Sequence, residues 1–86
     1  MKPEVILELR LAHLKAQRAR EAGRWHVAVQ QYRCCLEQAE RCCDPRCTSF
    51  FARQLSECYR QLGLLEKAAH FHALSELPAP FGDPLE

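Results

Sequence analysis

The stretch EAGRWHVAVQQY, residues 21–32, decides the fold, because Gly23 interrupts an apolar pattern that otherwise runs unbroken through it. Within a helix, glycine costs up to about 1 kcal/mol relative to alanine. The simplest reading is that one helix ends at Gly23 and another begins, so the local unit is a helical hairpin. Upstream, Val5, Leu9, Ala12, Ala16 and Ala19 recur at spacings of three and four, and Leu7, Leu11 and Leu14 widen the stripe. That spacing predicts an amphipathic helix from Pro3 to Ala22, with Pro3 in its first turn. Downstream, Trp25, Ala28, Val29, Tyr32, Cys35, Leu36 and Ala39 predict a second helix to about Cys43, ended by Asp44-Pro45. A third runs from about Arg46 to Leu62, with Phe51, Leu55, Cys58, Tyr59 and Leu62 inward, and stops at Gly63. A fourth spans about Leu64 to Leu77 and meets PAPFGDP, whose prolines cannot continue a helix. Short connections make the neighbours antiparallel. The chain therefore reads as one all-α domain over 1–78, two antiparallel hairpins in four helices, followed by a Pro-rich tail over 79–86.

With 86 residues, 48% of them hydrophobic and 27% charged, the chain suits one small globular core rather than disorder. A net charge of +1 gives no general attraction to nucleic acid or anionic membrane. The charge is unevenly spread. Residues 1–24 hold six basic side chains against three acidic, and the remainder six against eight. The first-helix bases are interleaved with acids, and no nucleic-acid-binding motif is visible. Glu8 and Arg10 interrupt the early apolar run, so neither a signal-peptide core nor a membrane span is expected. The reading is a cytoplasmic or nuclear protein that is not secreted.

Six cysteines, Cys34, Cys35, Cys42, Cys43, Cys47 and Cys58, raise a redox question. Without a secretion signal, reduced thiols are favoured. The twin C-x9-C spacing of oxidised helical hairpins is absent, the nearest being C-x8-C and C-x10-C. CCDPRC, residues 42–47, offers one half of a zinc site, Cys42 or Cys43 with Cys47, and no second knuckle follows. Cys58 or one of His13, His26, His70 and His72 would have to complete it. The expectation is that cysteine serves here as a small hydrophobe on packed helix faces, with no metal and no cofactor. A cysteine-based metal or redox protein is the alternative.

The two hairpins resemble each other. Aligning Gly23 with Gly63 places Ala28 on Ala68, Ala16 on Ser56 and Ala19 on Tyr59. The second copy reads Leu55-Ser56-x2-Tyr59-x3-Gly63-x4-Ala68, and Gly23-x4-Ala28-x3-Tyr32 repeats its later part with Tyr32 in the large aromatic slot. This pattern resembles the tetratricopeptide (TPR) repeat. The period is 40 rather than the family's usual 34, which is similar to the longer repeats of kinesin light chain and LGN/Pins adaptors and implies a lengthened second helix. Lys15 stands where the second copy has Leu55, and His72 where the first has Tyr32. The resemblance implies a right-handed superhelical stack in which Gly23 and Gly63 turn the chain. Trp25, Ala28, Tyr32, Leu55, Tyr59 and Ala68 would hold the scaffold, the alanines where two helices approach closely.

It also implies a protein-binding adaptor or small subunit of a larger complex, whose first helices line a concave face. The groove positions would be Arg10, His13, Gln17 and Arg20 from the first helix, with Arg53, Glu57 and Arg60 from the third. Such a groove is net basic and favours an acidic or extended peptide segment. The family subtype that clamps a chaperone C-terminus uses lysine and asparagine, whereas the corresponding places here hold His13, Gln17 and Gln54, so chaperone binding is not expected. Two repeats leave open ends that a partner or a second copy would cover, as a homodimer in the latter case. Val5, Ile6 and Leu9 are the candidates at one end, and Phe71, Leu74 and Leu77 at the other. Alternatively, the tail folds back with Phe81 and Leu85 as a cap. No enzyme is expected. There is no phosphate loop, no paired-carboxylate motif and no H-E-x-x-H, and His70 and His72 diverge by about 200° on a helix.

Overall fold

The computed structural model describes residues 3–42 and 44–76, with side chains from residue 6 onward. They form four helices and no strand: α1 (Pro3–Glu21), α2 (Trp25–Arg41), α3 (Pro45–Gln61) and α4 (Leu65–Ser75). The fold is all-α, as the periodicity predicts, with helix ends within one or two residues of the expected ones. Leu77, the 79–86 tail with Phe81 and Leu85, Cys43 and the Val5 side chain lie outside the described residues.

Gly23 and Gly63 have φ of +74° and +78°. A β-carbon at either would meet nothing within 4 Å, so the left-handed backbone, not crowding, requires glycine. Both turns use the same bonds. The Gly23 amide donates to the Arg20 carbonyl at 3.0 Å and the Arg24 amide to the Ala19 carbonyl at 2.8 Å. Forty residues on, Gly63 donates to Arg60 at 3.0 Å and Leu64 to Tyr59 at 2.9 Å. This paired bonding is the Schellman motif, which satisfies carbonyls left free at a helix end. The chain then re-enters a helix at once, with Ala28 donating to Arg24 and Ala68 to Leu64.

The α2–α3 corner is built differently. Asp44 is extended, and its Oδ1 accepts from the Arg46 and Cys47 amides, both at 3.2 Å. Pro45 occupies the first helical position, where its missing N–H costs nothing. The dipeptide expected only to end α2 therefore also starts α3, one residue before the predicted boundary.

Hydrogen bonds between helices fix their directions. Ser56 Oγ donates to the Ala68 carbonyl at 2.7 Å and Ser49 Oγ to the Ser75 carbonyl at 2.5 Å, a register only antiparallel α3 and α4 can satisfy. The Cys35 thiol lies 3.9 Å from the Leu9 carbonyl, tying α2 back to α1 in the same sense. The core collects Ala12, Ala16 and Ala19 from α1 and Ala28, Val29, Tyr32, Cys35, Leu36 and Ala39 from α2. From α3 and α4 come Phe51, Leu55, Cys58, Tyr59 and Ala68. The helices pack in chain order, α1 on α2, α2 on α3 and α3 on α4, within principal extents of 38 × 32 × 16 Å.

Leu7, Leu11 and Leu14 do not widen the buried stripe of α1; they are 61%, 49% and 43% exposed, while Ala16 is fully buried. α1 ends the array, so neighbours cover one of its sides only, and that side carries the alanines that permit close approach. Leu9, expected at an open end, packs partly against the core, whereas Ile6 is exposed. At the other end Phe71 stacks on Tyr59, with centroids 5.4 Å apart, and Leu74 is half-buried. The large apolar residues exposed toward that end are Leu64 and Leu65.

Candidate functional site

The positions expected to bind a partner fall on α1 and α3, and two contacts bring these helices together. Arg20 donates through Nη1 to Gln54 Oε1. The His13 ring packs edge-on against Phe50 and Phe51 at 5.6 and 5.4 Å, with Tyr32 at 6.3 Å. His13 is thus half-buried in an aromatic cluster instead of standing free, and such pairs contribute about 0.5–1.5 kcal/mol each beyond area burial. Its spacing on α1 gives no hint of this, because the aromatic partners come from other helices.

Arg20 differs from its neighbours in a way that matters chemically. Half-buried, it meets neutral groups: Gln54 by hydrogen bond, and the Tyr32 phenol and Cys58 thiol nearby. Burial pushes the Tyr32 phenol above its ordinary range, partly offset by that guanidinium. Arg10, Gln17 and Arg53 are exposed, and neither arginine makes an ion pair among the described residues. Glu57 and Arg60 pair with each other at 3.7 Å along α3. Both are solvated, so the pair adds little stability, yet it neutralises the one acidic side chain expected in the groove. Of the expected groove positions, Arg10, Arg20 and Arg53 are therefore the cations without an acidic partner among the described residues.

Phe50, absent from the expected site, is 44% exposed beside His13. The adjacent phenylalanines were its only signal: consecutive helical positions diverge by about 100°, so when Phe51 turns inward Phe50 cannot follow. The scaffold positions Ala28, Tyr32, Leu55, Tyr59 and Ala68 are buried, Trp25 packs partly against the core, and Gly23 and Gly63 sit in the turns.

The five described cysteines are free thiols: Cys34 exposed, Cys42 and Cys47 half-buried, Cys35 and Cys58 buried. Burial pushes the Cys35 thiol up to about 12 and raises Cys58 and Cys47, the last also through the Asp44 carboxylate beside it. These environments favour neutral thiols over the thiolates that metals and nucleophilic chemistry require. Among the described residues no three His, Cys, Asp or Glu side chains converge as metal ligands. No described helix is long and apolar enough to cross a membrane.

Comparison with protein-family models, with curated proteins and with solved structures returns no match to this chain.

Proposed function

We propose that this chain is a TPR-like, non-catalytic interaction module, an adaptor or small subunit that holds an acidic or extended segment of another protein against the face formed by α1 and α3. The observation that carries the reading is Arg20, a half-buried guanidinium whose described partners are all neutral. A guanidinium partly withdrawn from water gains most from a carboxylate, through paired charge-assisted hydrogen bonds. Arg10 and Arg53, on the same two helices, add exposed charge unpaired among the described residues, and Phe50 supplies exposed aromatic surface for an apolar side chain of the same segment. The TPR-like relationship is supported by the identical glycine turns 40 residues apart and by the small residues Ala28 and Ala68 following each at the same interval.

The test is fluorescence anisotropy with labelled peptides in which Glu and Asp alternate with apolar residues, against the same peptides bearing Gln and Asn. The acidic series should bind, with affinity falling as salt rises. The exposed double change Arg10→Gln/Arg53→Gln should weaken it about tenfold, near 1.4 kcal/mol, while leaving helicity intact. Equal binding of the amide series, or indifference to the arginine changes, sinks the reading.

A further inference from the structure

One side of α1 is left uncovered by the other described helices. Leu7, Leu11 and Leu14 form a continuous stripe at spacings of four and three, each between two-fifths and two-thirds exposed. Val27, on α2, is 42% exposed and extends the apolar surface toward Lys15 and Arg18. Three leucines aligned on one side of a helix are ordinarily buried, and a stripe left exposed marks an interaction surface.

The charges beside the stripe identify the occupant. Glu8 and Lys15 are both exposed and lie seven residues apart, two turns along the same flank. About 10 Å of helix separates them, too far to pair within one α1. Neither makes an ion pair among the described residues. An antiparallel copy of α1, related by a two-fold axis beside Leu11, resolves all of this together. It sets Leu11 on Leu11 of the other copy and Leu7 within one residue of Leu14. Within one residue of the same register, about 1.5 Å of rise, it sets Glu8 on Lys15 in both directions. A parallel copy, with its two-fold axis along the helices, would carry the flank holding Glu8 and Lys15 to opposite sides of the interface, so neither could pair across it. A self-complementary patch of this kind is what a two-fold interface requires.

We propose that the protein forms a two-fold homodimer through antiparallel packing of α1, with Leu7, Leu11 and Leu14 as its core and reciprocal Glu8–Lys15 pairs as its register. The interface is separate from the side of α1 that meets α3 through His13 and Arg20, so the dimer presents two copies of that side, with Arg10 at the border between them. It does not depend on what that face binds.

Light scattering after size exclusion, with reduced protein over a range of concentrations, decides the matter. The wild-type mass should approach twice the 9.9 kDa of the chain. Leu11→Glu, which places like charges on the axis, should give the 9.9 kDa monomer with unchanged circular dichroism. Glu8→Lys and Lys15→Glu alone should each weaken the dimer about tenfold. Mixed with each other, or combined in one chain, they should restore it. A wild-type chain that stays monomeric overturns the proposal, as does a dimer that survives Leu11→Glu or a charge exchange that fails to rescue. Loss of acidic-peptide binding with the dimer intact would strike only the groove.

Discussion

Gly23 and Gly63 show how much a single backbone requirement can set. Each stands past a helix end at positive φ with open space around its α-carbon, so substitution is penalised by backbone conformation alone. An L-residue in that region costs about 1–2 kcal/mol, least for asparagine. Gly23→Ala should therefore lower the midpoint of thermal unfolding by about 4–8 °C per kcal/mol lost, while Gly23→Asn should lower it less. Circular dichroism melts of the two variants check this, and an alanine variant as stable as the wild type would mean the turn re-forms without the left-handed residue. The position was legible in the sequence because nothing but a turn rewards glycine between two helical patterns. The inward turn of Phe51 was legible as well, from its helical spacing with Leu55 and Cys58, whereas the packing of His13 on both phenylalanines was not, since it arrives from another helix.

Helix ends and helix faces were legible to different degrees. The four helices follow from apolar spacing and from the breakers Gly23, Asp44-Pro45 and Gly63, which are local signals. The buried side of α1 is not a local property: its alanine stripe and its leucine stripe both have helical spacing, and hydrophobicity alone favours the leucines. Close packing against α2 reverses that preference, because Ala16 and Ala28, both fully buried, let the helices meet where leucine would hold them apart. The α2–α3 corner offers a sharper test of local chemistry. Hydrogen bonds from the Cys47 amide and thiol, with the Arg46 amide adding to them, hold the Asp44 carboxyl below its usual range. A carboxylate whose pKa is lowered by folding stabilises the fold above its unfolded value, near 4, and loses that contribution as pH falls through the folded value. Asp44→Ala should thus cost about 1 kcal/mol at neutral pH, as removal of a helix N-cap typically does. Urea titrations at a series of pH values should show wild type and variant converging below about pH 4. A gap that persisted into acid would show that the carboxylate charge is not what caps α3.

The two hairpins could in principle be separate folding units joined at a corner, and the internal repeat in the sequence invites that picture. The packing argues otherwise. Phe51, on α3, is buried with its ring 5.4 Å from His13 on α1 and 6.4 Å from Tyr32 on α2, so one side chain holds the hairpins together. Arg20 and Gln54 add a second tie between the same hairpins. Removing a buried phenylalanine costs about 3–5 kcal/mol, against roughly 4–13 kcal/mol for a whole domain of this length. Phe51→Ala should therefore remove a large part of that stability, with its thermal midpoint lowered by at least about 12 °C. The probes distinguish a shared core from two independent ones, because Trp25 lies in the first hairpin while far-ultraviolet circular dichroism reports on all four helices. With a shared core, the two signals should change together in the wild type, and together at the lower midpoint in the variant. If Trp25 emission kept its wild-type midpoint while half the helicity was lost early, the hairpins would be autonomous. The face between α1 and α3 would then be a flexible junction, and a partner segment would have to order it on binding.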